Sequence, residues 1–285
     1  MKICSTIKAV RGACADARAK GMSIALVPTM GALHDGHLSL VRAASAGGEF
    51  VVVSIFVNPA QFGPNEDLSK YPRSFERDLE LLKEESAAAV FAPEVEEIYP
   101  GGSATWVCVE GLSDRLDGHF RPGHFRGVTT VVAKLFHIVQ PDRAYFGQKD
   151  AAQLAIVRRM VRDLKFPVAI VGGAIVREPD GLAMSSRNVY LSAEQRAQAL
   201  VLSRSLKRVD EMYSQGVRDA AVLIERGKNE LGTEPAARLE YMEIVDPNTL
   251  DPVADVSNGA LVAVAAYFGT TRLIDNILLP ADSQH

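Results

Sequence analysis

The stretch from Ser23 to Leu40 constrains the fold of this 285-residue chain more than any other. It opens with Ser23-Ile24-Ala25-Leu26-Val27, a short apolar run of the kind buried on both faces of a parallel sheet. Pro28-Thr29-Met30-Gly31-Ala32-Leu33-His34-Asp35-Gly36-His37 follows, and Leu38, Leu40 and Val41 then open a helical pattern. Two histidines and two glycines thus stand where a strand hands over to a helix. A helix N-terminus offers unpaired N–H groups and the positive end of a dipole, which together receive phosphate. Glycine lets the backbone come close to such a ligand, and histidine can donate to its oxygens. On spacing alone a histidine pair at a turn more often serves structure than chemistry, so the surrounding blocks must decide.

The first part of the chain repeats the strand-then-helix rhythm. Residues 50–57 (Phe-Val-Val-Val-Ser-Ile-Phe-Val) form a β-branched run bounded by Gly47-Gly48 and Pro59. Residues 71–85 are helical and charged, 87–91 a short strand, and 105–109 another strand. In residues 127–139, Val128, Val131, Val132, Leu135 and Val139 recur at helical steps. Strand-like 144–146, helical 153–163 and strand-like 168–171 and 174–177 complete this part. Strands separated by helix-length segments predict an α/β fold, a Rossmann-like doubly wound parallel sheet with helices on both faces. The rhythm then changes. Ser192-x-x-Gln195 has capping-box form and starts a helix to about residue 214. A second helix over 220–232 and strands over 239–246 and 260–268 predict a smaller α+β C-terminal domain. The expected division is 1–176 and 177–285, without a low-complexity linker.

Composition bounds the function. Hydrophobic residues make up 47% of the chain, enough for a real core, and the net charge is −4. A general nucleic-acid or anionic-membrane binder would show a basic surplus, so neither partner is expected. No stretch approaches the roughly twenty apolar residues of a membrane span. Residues 1–8 hold no apolar core of a secretory leader. The three cysteines, Cys4, Cys14 and Cys108, show no metal-ligand spacing, which fits a reducing compartment. A cytoplasmic protein without a protein-built metal site is the expectation.

His-x-Gly-His is the signature of the nucleotidyl-transferring branch of Rossmann-like proteins. The wider block, Pro-Thr-Met-Gly-Ala-Leu-His-x-Gly-His, resembles the opening signature of the pantoate–β-alanine ligases, or pantothenate synthetases. Five further blocks match in order: Phe56-Val57-Asn58-Pro59-Ala60-Gln61-Phe62, Arg121-Pro122-Gly123-His124-Phe125-Arg126-Gly127-Val128, Phe146-Gly147-Gln148-Lys149-Asp150, Met184-Ser185-Ser186-Arg187-Asn188 and Thr271-Arg272-Leu273-Ile274-Asp275-Asn276.

The resemblance implies ATP-dependent condensation of pantoate with β-alanine through a pantoyl-adenylate, with Mg2+ held largely by ATP oxygens and water. It implies ATP contacts at Met30, Gly31, Ala32, Leu33, His34, Asp35, Gly36, His37, Gly147, Gln148, Lys149, Asp150, Val176, Met184, Ser185, Ser186 and Arg187. His34, His37, Lys149, Ser186 and Arg187 would stabilise charge on the phosphates. Gln61, Gln153 and Asn58 would bind the acid substrates. Many relatives carry glutamate where this chain has Gln148, so that side chain is not expected to be essential. Ala183 stands where the longer superfamily signature has a lysine; Lys149 and Arg187 would make up the charge. Arg121, His124 and Arg126 read as a basic loop able to receive an anion, in a supporting role. Asp78 matches the position of a family acid near the metal, but within a charged helix it reads as a surface carboxylate. A homodimer is expected, with the second domain closing over the site. Two rival functions share the histidine signature, a nucleotidyltransferase acting on a phosphate or alcohol and a non-catalytic nucleotide sensor. The first would not need the 56–62 and 148–153 blocks as a paired acid site, and the intact histidines, Lys149 and Arg187 argue against the second.

Overall fold

A computed structural model describes residues 1–64 and 66–282. The chain divides into two compact units, one of residues 1–148 and 156–174, the other of residues 149–155 and 175 onwards. The expected boundary differs by leaving 149–155 and 175–176 in the first unit.

In chain order the first unit runs β1 (Lys2–Cys4), α1 (Ile7–Arg18), β2 (Ile24–Thr29), α2 (Asp35–Ala46), β3 (Phe50–Ile55), α3 (Phe75–Glu84), β4 (Ala89–Phe91), α4 (Val95–Ile98), α5 (Asp117–Phe120), α6 (His124–Val139), β5 (Arg143–Gly147), α7 (Ala151–Leu164) and β6 (Ala169–Gly173). The first turn of α7 falls in the second unit. The strands form one sheet in the order β1-β4-β3-β2-β5-β6, every pair parallel. Ile24, Ala25, Leu26 and Val27 of β2 are fully buried. Such a strand is apolar throughout because helices cover both faces of the sheet. Ala25, Val27, Val51 and Val53 share a core with Leu38, Leu40 and Val41 of α2 and Leu82 of α3. Helices α1 and α6 meet β2 as well, and each other. Strand order reverses between β2 and β5. In sheets of this kind ligands bind beyond the carboxyl ends of the strands at that reversal. Residues 30–37 leave β2 there, and Gly147 and Gln148 end the path of β5.

The second unit contains α8 (Ala193–Ala199), α9 (Val201–Ser214), α10 (Ala220–Leu231), β7 (Ala237–Val245), β8 (Asn258–Phe268) and β9 (Thr271–Ala281). Its sheet is antiparallel, β7-β8-β9. Leu202, Leu206 and Val209 of α9 share a core with Leu223 of α10, Ile244 of β7 and Val262, Val264 and Phe268 of β8. The expected fold class, a doubly wound parallel sheet with a smaller α+β domain, holds. No helix among the described residues is long and apolar enough to cross a membrane.

Three local expectations fail, and several elements, β1, α1 and β9 among them, fall outside the expectations. Residues 105–109 form no strand: the Val107 N–H donates to Thr130 Oγ1 (3.0 Å), and Thr129 Oγ1 donates to the Val107 carbonyl (2.6 Å). Side-chain hydroxyls of α6 replace the neighbouring strand. Residues 174–177 make only an isolated antiparallel bridge, Arg177 to Ala183. The expected helix over 192–214 breaks at Leu200 into α8 and α9. Strand β9 falls outside the expectations altogether, because Arg272, Asp275, Asn276 and Pro280 interrupt its apolar pattern.

Candidate active site

The loop between β2 and α2 is held in an unusual backbone conformation. Gly31 and Ala32 both have positive φ, +81° and +50°. A side chain at Gly31 would press on Asp78 Oδ2 (3.0 Å) and Ile55 Cγ2 (3.1 Å), so glycine is required there. Asp78 is what secures the turn. Its carboxylate accepts from the Ala32 N–H (2.8 Å), the Leu33 N–H (2.9 Å) and Ser74 Oγ (3.1 Å). Below them Thr29 Oγ1 accepts from the Gly31 N–H and donates to the Ser54 carbonyl. Asp78 is 1% exposed, which corrects its reading as a surface carboxylate. A carboxylate goes into a protein interior where several donors converge on it, as here. Two ATP expectations change with it: the amides of Ala32 and Leu33 turn inward to Asp78 and are not donors to a phosphate.

The histidines stand at the end of this loop. His34 is the N-cap of α2 and His37 its third residue. The His34 N–H donates to His37 Nδ1 (3.4 Å), and the ring centroids lie 4.1 Å apart. With Nδ1 accepting, a neutral His37 carries its proton on Nε2, where it can donate to an anionic ligand. Both rings are half-buried, as are Met30 and Gly36. Asp35 carries the acidic charge in the first turn of α2 and pairs with Arg42 (2.5 Å).

Gln61 adjoins the same loop. Its Nε2 lies 3.2 Å from Met30 Sδ, and its Oε1 accepts from Asn58 Nδ2 (3.0 Å). Asn58 is 1% exposed. It also donates to the Gly127 carbonyl (3.1 Å), while its Oδ1 accepts from Tyr99 OH (2.9 Å) and the Ala60 N–H (3.3 Å). With two donors and an acceptor used internally, Asn58 orients Gln61. This corrects the expectation that it reads substrate directly. Burial, offset in part by the bond to Asn58, pushes the Tyr99 hydroxyl up to about 12, so it stays a donor.

Gly127 lets α6 come this close, since a Cβ there would collide with the Ala60 carbonyl and the Gln61 Cα. His124, one turn earlier, donates from Nδ1 to the Gln61 carbonyl (2.8 Å). Its Nε2 faces Arg121 Nη1 at 3.0 Å and accepts from it. Burial, then the Arg121 charge, pushes the His124 imidazole down to about 4, so it is neutral at pH 7. Arg121 in turn grips Glu66 through Nε (2.7 Å) and Nη2 (2.5 Å). Burial works to raise the Glu66 carboxyl, but the bonds and charge of Arg121 hold it below its ordinary value. Arg121 and His124 therefore buttress Gln61, contrary to their reading as an anion-receiving loop. Arg126 remains exposed, over the Trp106 ring.

The other expected residues lie in the second unit, apart from the half-buried Gly147 and Gln148. Lys149 Nζ stands 3.8 Å from Asp150 Oδ1, with a 20% exposed side chain. Gln153 is half-buried on α7. Residues 176–184 form a small hairpin: the Met184 N–H donates to the Val176 carbonyl (3.0 Å) and the Glu178 N–H to the Leu182 carbonyl (2.8 Å). Gly181, at φ +97°, makes the turn. Ser185 then caps a short 3₁₀ turn, its Oγ accepting from the Arg187 N–H (3.3 Å). Asn188 ties that turn back to the hairpin through Glu178 Oε1 (2.8 Å) and the Ala183 carbonyl (3.1 Å). Met184, Ser185, Ser186 and Arg187 are half-buried.

Sequence reasoning missed Thr29, Tyr99 and Glu66, and gave Asp78 no place in the site. Asp78 had one legible signal: it lies four residues before the buried Leu82, on the inward face of α3.

Comparison with known proteins identifies the family. The family model described as pantoate-beta-alanine ligase matches residues 2–278. A pantothenate synthetase of Koribacter versatilis is 58% identical over 99% of this chain and 97% of its own length. One from Moorella thermoacetica is 55% identical over 98% and 99%. The crystal structure of pantothenate synthetase from Thermus thermophilus superposes with a TM-score of 0.92 at 51% identity, covering 97% of this chain and 99% of that one. A pantoate-beta-alanine ligase from Francisella tularensis, complexed with beta-gamma ATP and beta-alanine, gives 0.82 at 32%, covering 98% and 97%. The match runs nearly from end to end and takes in the histidine loop, the Gln61 buttress and the Met184–Arg187 turn alike; the chain belongs to the pantoate–β-alanine ligase family.

Proposed function

We infer that the chain condenses pantoate with β-alanine at the expense of ATP, forming pantothenate, AMP and pyrophosphate. The observation that carries this reading is the contact of Gln61 Nε2 with Met30 Sδ at 3.2 Å. It sets a carboxylate- or hydroxyl-reading amide against the loop that leads into His34 and His37.

A carboxylate is a poor acyl donor because its leaving group would be oxide. A pantoate carboxylate oxygen bonds to the α-phosphorus of ATP, and the bond to the β-phosphate oxygen breaks, releasing pyrophosphate. The β-alanine amine then attacks the acyl carbon of the mixed anhydride and loses a proton, and AMP departs. His34, His37, Lys149, Ser186 and Arg187 would donate to phosphate oxygens as charge builds on them. Gln153 would join Gln61 in holding pantoate. Among the described residues no three His, Cys, Asp or Glu side chains converge as a metal cage. A Mg2+ ion, which keeps several waters and favours phosphate oxygens, would ride on the ATP phosphates and supply positive charge there. We also propose a cytoplasmic homodimer, on the family resemblance and on the free cysteines Cys4, Cys14 and Cys108.

AMP formation measured with pantoate and β-alanine each omitted in turn tests the function. AMP release should need both substrates. Pyrophosphate release without free AMP, the adenylyl group staying on the product, would instead support the nucleotidyltransferase reading.

Gln61→Ala should weaken binding of pantoate and β-alanine by about tenfold, the worth of one or two hydrogen bonds, while ATP affinity changes little. Equilibrium binding of the three ligands checks this. A loss confined to ATP would show that Gln61 serves the nucleotide.

A further inference from the structure

The Thr271–Asn276 block has no part in the chemistry above, yet its last two residues reach both segments of the second unit to which the proposed function assigns phosphate contacts. Asp275 and Asn276 are adjacent in β9, 3% and 2% exposed, and point to opposite faces of the sheet. On one face Asp275 takes Arg177 in a two-pronged pair, Nη1 to Oδ2 at 2.6 Å and Nη2 to Oδ1 at 2.9 Å. Arg177 Nη1 also donates to the Gly181 carbonyl (3.1 Å), so the pair grips the hairpin that precedes Met184–Arg187. On the other face Asn276 Nδ2 donates to the Lys149 carbonyl at 2.9 Å. The Asn276 N–H donates back to Asp275 Oδ1 (2.8 Å), joining the two grips. The same residues stand in register with Val264 and Ala263 of the central strand β8, so neither can shift without the sheet.

A buried amide of this kind fixes one peptide plane. The Lys149 carbonyl belongs to the peptide that links Lys149 to Asp150, at the entry to α7. Holding it sets the direction in which the Lys149 side chain leaves the backbone. A long flexible amine otherwise loses rotamer freedom each time it meets a phosphate.

We propose that Asn276, braced by Asp275, is a positioning residue for adenylation that acts through Lys149. The proposal rests on the reading that Lys149 meets the ATP phosphates. Its mark is selectivity: Asn276 should matter while triphosphate is being cleaved and not after pyrophosphate has left.

The test uses single-turnover kinetics of the full-length protein carrying Asn276→Leu, which keeps the side chain's size and removes its donor. Pantoyl-adenylate formation should slow about tenfold, the loss of one well-placed hydrogen bond. Reaction of preformed pantoyl-adenylate with β-alanine should stay within about twofold of the parent protein. In a Lys149→Ala background the same change should cost less than about twofold, since residues acting as one unit are not additive. Equal slowing of both half-reactions, or full additivity with Lys149→Ala, would overturn the proposal and leave Asn276 a structural residue. Normal adenylation by Lys149→Ala would overturn the reading of Lys149, and the proposal with it. A strong Lys149→Ala defect beside a normal Asn276→Leu would overturn the proposal alone. Should Asn276→Leu not fold, Asn276→Ala, which adds no bulk, carries the same measurements.

Discussion

Replacing His37 with alanine is expected to slow pantoyl-adenylate formation about a hundred- to a thousandfold, the loss of about 3–4 kcal/mol from a preorganised donor site. The ring is third in α2, and its Nδ1 accepts from the His34 N–H. That bond leaves Nε2 as the protonated nitrogen and sets the ring's direction without help from substrate. The helix dipole adds to the same field, but backbone groups cannot replace a lost side-chain donor. The ring is only half-buried, so stability should change little. Pyrophosphate release in a single turnover, with a denaturation curve alongside, gives both numbers. Near-normal release by a folded variant would remove His37 from the chemistry.

Asp78→Ala is expected to harm both stability and activity, because the carboxylate is the partner of two inward amides. Without it the Ala32 and Leu33 N–H groups lose their acceptor, at about 1–3 kcal/mol for each buried orphan. Gly31 and Ala32 also lose what holds them at positive φ. Relief of the buried carboxylate's own desolvation offsets part of this. A net destabilisation of about 3 kcal/mol should appear as a lower urea midpoint at unchanged slope. Adenylation should fall more than about tenfold at temperatures where the variant is folded, since a shift of about 1 Å in the loop that carries His34 and His37 is costly. Asp78→Asn should be milder but still impaired, as its amide nitrogen turns one donor toward another. A midpoint change below about 0.5 kcal/mol would mean that the loop holds itself.

The residues that were legible in the sequence share a local cause. The run before Pro28 has to be a buried parallel strand, and the glycines and histidines after it have to leave that strand at its carboxyl end. The parallel sheet, the histidine loop and the capped start of α8 at Ser192 follow from such short-range rules. What escaped depends on partners far away in the chain. Asp78 looks like surface because its helix is full of charge, and only the amides of residues 32 and 33 explain its burial. Arg121 and His124 look like an anion receptor until Glu66 and the Gln61 carbonyl occupy them. The alternation over 105–109 states that the backbone is extended but not that Thr129 and Thr130 will serve it. Asn58 looks like a substrate reader from its position after a strand, whereas its four bonds come from its own turn, from Tyr99 and from α6.

The order β1-β4-β3-β2-β5-β6 has a consequence for how the molecule is made. Ala25 of β2 pairs with Arg143 of β5, while β3 and β4 emerge between them. At about 5–20 residues per second, a translating ribosome delivers β5 on the order of ten seconds after β2. Through that interval β2, one of the most apolar strands in the chain, has one side without its neighbour. An edge of that kind invites pairing with another nascent chain. Truncated chains ending before residue 143 should therefore be the species that chaperones hold and that aggregates collect.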